Sequence, residues 1–113
     1  MQIIIFMTDT SKYILFKLTE TAKNVVPDGG QVWLYGSRAR GTEREDSDWD
    51  LLILIDKDEI DSRDEDNISY PFVEMGWKSN AAVNPLLYSY KQWQERSFTD
   101  FFMNVDNDKV RIL

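Results

Sequence analysis

The chain has 113 residues, enough for one domain with a single modest core. A hydrophobic content of 42% with 13% aromatics points to a globular chain rather than a disordered one. The net charge of −7 excludes a broad basic face for nucleic acid, the absence of Cys excludes disulfides and thiolate metal sites, and the absence of His removes imidazole as base or ligand. A bound metal must therefore be held by oxygen.

The apolar start, Ile3 to Met7, is too short to cross a bilayer, and it lacks the basic flank and small-residue cleavage site of a signal peptide. It predicts no membrane association and a cytoplasmic protein. It reads either as an extra strand or clamp, or as sequence upstream of a true start at Met7. The second reading is slightly favoured.

Thr8 to Ser11 is rich in helix-capping residues, and Tyr13 to Val25 carries a rough helical stripe. Pro27-Asp28-Gly29-Gly30 ends that helix and turns the chain. Gln31 to Tyr35 predicts a short strand ending at Gly36. Residues 36 to 47 predict a turn, a short helical segment and a polar loop. Asp48 to Asp56 is the most secure strand: its unbroken apolar run from Leu51 to Ile55 suits a central strand buried on both faces. Lys57 to Asp66 is dense in acids and reads as a solvated loop or helix start. Ile68 to Ser79 predicts a helix with Pro71 near its first turn and Phe72, Met75 and Gly76 toward the sheet. Ala81 to Tyr90 predicts a third strand, placed at an edge by Pro85. Two short closing helices follow, over Tyr90–Arg96 and Phe101–Asn104, and Val110 to Leu113 packs back on the core. The late aromatics Trp77, Tyr88, Tyr90 and Trp93 read as core or interface packing ahead of a base-stacking platform.

The chemistry is concentrated in Gly36-Ser37-Arg38-Ala39-Arg40-Gly41 and Ser47-Asp48-Trp49-Asp50-Leu51. The two glycines let backbone N–H groups approach an anion. Ser37 reads as a phosphate contact, with a helix cap as the plainer role. Arg38 and Arg40, with Arg44 close by, form a local cationic cluster that could pair with a triphosphate or simply lie solvated on a helix face. Asp48 and Asp50 stand two apart, so on a strand they share one face. Two such carboxylates beside a phosphate cradle suit Mg²⁺, which binds through one or two carboxylates plus substrate phosphates. Trp49 between them points to the other face.

This pattern resembles the minimal nucleotidyltransferases of the DNA polymerase β superfamily, in which an apolar residue and G-S-x-x-x-G are followed by S-D-h-D-h (h, apolar). Every fixed position is filled. The resemblance implies an α/β palm, a small mixed sheet of three to five strands with helices packed on one face. It implies Mg²⁺-dependent transfer of a nucleotide, AMP from ATP, to a hydroxyl, with two ions in the family. Gly36, Ser37, Arg38 and Arg40 would be phosphate-binding, and Asp48 and Asp50 catalytic and metal-binding. In the resembled small family such chains act as antitoxins that modify a partner toxin with a HEPN domain. A chain this short shows no obvious second domain to hold an acceptor, which points to a partner or a second copy of itself.

The family also carries a third carboxylate on the next strand over. The matching register puts it at Ala82, with Asn84 two residues on along the same face but uncharged. No acid falls between Glu74 and Glu95, and Glu74 sits on the preceding helix. This departure leaves one of the two Mg²⁺ ions secure here and keeps a second function open: a catalytically impaired module that binds nucleotide or neutralises a partner by direct contact.

Overall fold

The computed structural model describes residues 7–113, so the alternatives for the apolar start at residues 1–6 lie outside it. The Thr8 hydroxyl accepts from the Ser11 N–H and caps α1, Asp9–Val25. That helix buries Ile14, Leu15, Leu18 and Ala22 along one stripe and ends before Pro27, which cannot continue it. Strand β1 (Gln31–Tyr35) leads through Gly36 into the single turn α2 (Ser37–Arg40), and β2 spans Trp49–Ile55.

The acid-rich segment forms an ordered helix start. Asp61 and Asp64 make reciprocal side-chain-to-backbone bonds that cap α3 (Ser62–Asp64), and a π-helical turn over Glu65–Ser69 passes into α4 (Tyr70–Lys78). Pro71 sits in the first turn of α4, directly after the π-helical turn. Gly76 allows α4 to approach β3 (Val83–Ser89): a side-chain carbon there would lie 2.6 Å from the Ala81 carbonyl oxygen and 2.8 Å from a Val83 methyl. The helices α5 (Tyr90–Gln94) and α6 (Asp100–Asp108) follow, and the short β4 (Val110–Arg111) closes the chain.

Among the described residues four strands lie in the order β3-β2-β1-β4. The β1–β2 and β1–β4 pairs are antiparallel, and β2–β3 is parallel across the α3–α4 crossover. Pro85 therefore stands on an edge strand, the position a residue without an N–H requires.

Alternation along the strands divides the residues between two faces. Leu34, Trp49, Leu51, Ile53, Val83 and Leu87 pack with Leu18, Phe72 and Met75 beneath α1 and α4. On the other face, Leu52 and Leu54 pack with Trp93 and Val105, flanked by Tyr35, Leu86, Tyr88 and Phe102. The helices α1 and α4 thus cover one face, and α5 and α6 cover the far half of the second. Among the described residues no helix covers the near half of that second face, where Asp48 and Asn84 are exposed. No helix among the described residues is long and apolar enough to cross a membrane.

Candidate nucleotide and metal site

Asp48 and Asp50 occupy the open half-face. Trp49 points the opposite way and is 2% exposed, which fixes the direction of its two neighbours by alternation. Asp50 pairs in register with Tyr35 on one side and with Asn84 on the other. The Asn84 amide donates to Asp48 Oδ2 at 2.9 Å and to Asp50 Oδ1 at 3.2 Å.

The second oxygen of Asp50 faces the turn. Gly36 has φ 76° and ψ −158°, a conformation open to glycine alone, and a side-chain carbon on it would lie 2.6 Å from Asp50 Oδ2. The N–H groups of Ala39 and Arg40 both return to the Gly36 carbonyl. Those of Ser37 and Arg38 open the turn, where helix geometry offers them no intrahelical acceptor. Turn and carboxylates therefore converge on one place. Gly36→Ala is expected to destabilise the chain by roughly 1–3 kcal/mol and to displace Asp50, visible as a lower melting temperature together with weakened nucleotide binding.

The two arginines assigned to phosphate by sequence are engaged elsewhere. Arg38 is 4% exposed. Its guanidinium donates to the Ser47 carbonyl from Nε (3.2 Å) and Nη2 (2.9 Å), to the Glu45 carbonyl from Nη2 (3.2 Å), and to Ser11 Oγ from Nη1 (3.1 Å). It also lies 4.4 Å from the centre of the Trp49 ring. Because Trp49 belongs to the closed face, Arg38 is turned away from the carboxylates. It ties the 42–47 loop to the start of α1. Burial lowers its pKa, an effect opposed by Glu43 and Asp46. Arg40 meets Asp108 at 2.8 Å, bringing the end of α6 to the flank of the turn.

Glu74, the sequence's substitute for a third acid, ion-pairs with Lys78 at 3.5 Å on α4, across the sheet from the site. Ala82 precedes β3, and its carbonyl accepts from the Trp49 N–H at 2.8 Å. The contact to both carboxylates belongs instead to Asn84, one step further along the same face. Sequence reasoning had the parity of Asn84 right and passed it over for lack of charge. Only the β2–β3 register gives it the central place. Among the described residues no three acids come together in a metal-holding group.

Tyr35 was also missed. Its phenol is pushed up to about 12, first by burial, then by the charge of Asp50 and by Tyr88. Phe101 stacks edge-on against it at 5.8 Å, so α6 provides an aromatic wall beside the carboxylates.

An open sheet, four-stranded among the described residues, with a Gly-Ser turn at the end of β1 and a D-x-D pair on the adjacent β2 defines a nucleotidyltransferase palm. The chain belongs to the polymerase beta nucleotidyltransferase family, whose model matches residues 4–75. Among curated proteins none matches it. Two solved structures share the fold, each overlapping 88% of this chain and 72% of its own. One is a toxin–antitoxin with AMP-PNP (17% identity, TM-score 0.60), and the other is a mutant of the toxin–antitoxin MntA-HpeT with two Asp-to-Glu replacements (14%, 0.57).

Proposed function

We propose that the chain transfers a nucleotide, AMP from ATP, to a hydroxyl of an acceptor, and that it acts as the antitoxin of a HEPN-type toxin in the cytoplasm. The observation that carries this is the convergence of the Gly36-Ser37 turn on the carboxylates of Asp50 and Asp48. The family match and the likeness to toxin–antitoxin structures support it.

The donor set suits Mg²⁺. Two anionic oxygen ligands share a face open to solvent, and the phosphates of a nucleotide would complete a hard-cation shell. When bound, Mg²⁺ supplies charge neutralisation at the phosphates and a lowered pKa for the attacking hydroxyl. The chain's own residues do the rest. Gly36 keeps the turn low enough for Ser37 to reach the terminal phosphates. Asp48 and Asp50 would hold the divalent ion, and through it the phosphates, against the sheet. The acceptor oxygen then forms a bond to the α-phosphorus in line with the bond that breaks, pyrophosphate leaves, and the hydroxyl proton passes to the carboxylate pair.

A second reading has one observation in its favour: the side chain that reaches both carboxylates from β3 is Asn84, a neutral amide and not an acid. Such a chain would bind nucleotide and neutralise a partner by contact. Calorimetry of ATP binding tests the shared basis of both. Two carboxylates repel a triphosphate until a divalent ion bridges them, so binding is expected with Mg²⁺ and not with EDTA. Equal binding in both conditions, or none in either, would remove the site. Labelled ATP incubated with a HEPN-type partner then separates transfer from mere binding.

A further inference from the structure

We infer that Asn84 restricts this centre to one tightly held divalent ion. The inference rests on the nucleotide-binding role proposed above and concerns how that site is loaded. Asn84 Nδ2 lies 2.9 Å from Asp48 Oδ2 and 3.2 Å from Asp50 Oδ1, bridging the pair as a donor. It thereby eases the repulsion between two acids that the strand holds on one face.

The charge count follows from the side chains. Asp48 and Asp50 together carry two negative charges, which one divalent ion balances. Asn84 has only its neutral amide oxygen to offer an ion, a hard-cation ligand without charge. Among the described residues no third acid joins the pair, and Glu74 is held by Lys78 across the sheet. A second ion would have to be held against the first with no anionic side chain of its own. The same position with a carboxylate would supply that anion without moving the backbone, because residue 84 is already level with Asp50.

The test counts ions by their spins. Wild type and Asn84→Asp, each confirmed folded by thermal melting, are titrated with Mn²⁺ in the presence of AMP-PNP and followed by electron paramagnetic resonance. Wild type is expected to retain one Mn²⁺ per chain with the spectrum of an isolated ion. Asn84→Asp is expected to retain two, with the spectrum of a coupled pair about 3.5–4 Å apart, the second ion binding at least about tenfold more tightly than in wild type. A coupled pair in wild type would overturn the inference and leave the nucleotide site standing. A single isolated ion in Asn84→Asp would overturn it too, since the amide would then not be what limits loading. Retention of no ion by either folded protein would overturn the nucleotide-site proposal itself, and this inference with it.

Discussion

Asp50→Ala is expected to abolish Mg²⁺-dependent nucleotide binding while leaving the fold nearly as stable as before. Asp50 heads the apolar run of β2, half-buried, with Oδ1 taken by Asn84 and Oδ2 against the Gly36 turn. Removing it strands nothing, because Asn84 is exposed and keeps Asp48 as a partner. The stability change should be small, about 0.5 kcal/mol, because Asn84 stays paired with Asp48 and the repulsion between the two acids is relieved. Loss of a partner one shell away already lowers metal affinity about 10–100-fold, so loss of a direct ligand should exceed about 100-fold. Calorimetry and thermal melts together check this. A severe drop in melting temperature would show Asp50 to be a structural cap and would take away the main support for the metal site.

The same variant has a signature at high pH. Tyr35 stays neutral until about 12, against an ordinary value of 10.0, and burial is the larger cause with Asp50 second. Because the folded value is raised, the neutral phenol stabilises the fold fully below pH 10, and that contribution fades as pH climbs toward 12. Without Asp50 the phenolate should appear at lower pH, though still above the ordinary value. Phenolate absorbance during alkaline titration reads this directly.

Much of the fold was legible because its signals are local. The Leu51–Ile55 run announced a central strand, Pro85 announced an edge, and the Pro27–Gly30 stop marked the end of α1. The carboxylate pair was legible for the same reason, since a spacing of two on a strand fixes a shared face wherever the strand lies. What resisted reading was relative placement. Which β3 side chain meets the pair depends on how far β3 slides along β2: the resemblance put the family's third acid at Ala82, and in the fold Asn84, two residues on, makes the contact to both carboxylates. The capping box of Asp61 and Asp64 was visible as acids but not as a pair. Arg38 was ambiguous because an arginine in a glycine-bounded turn fits a phosphate as well as it fits a carbonyl-rich loop. The side of the sheet on which its guanidinium lies decides between them, and that is a tertiary fact.

That decision yields the largest expected loss of stability. Arg38→Ala should cost about 3 kcal/mol, a lowering of the melting temperature by roughly 10 °C or more in a domain of this size. The guanidinium supplies the bonds that pin the Ser47 and Glu45 carbonyls and the Ser11 hydroxyl, and it covers the face of Trp49. Its removal opens a gap beside a buried ring and frees the loop that delivers Asp48 into β2. Water can replace some of the donors at the loop carbonyls, which holds the cost below the sum of the individual bonds. Arg38→Lys should recover little, because one ammonium cannot reach three acceptors arranged as a planar fork and stack on an indole at once. At temperatures where Arg38→Ala remains folded, Mg²⁺-ATP should still bind within about tenfold of wild type, for the side chain that was removed faces away from the carboxylates. A variant that melts like wild type yet loses ATP would reverse the assignment and make Arg38 the phosphate ligand that the sequence suggested. Melting curves and calorimetry on the same preparation distinguish the two, because a structural arginine lowers stability first and a phosphate ligand lowers affinity first.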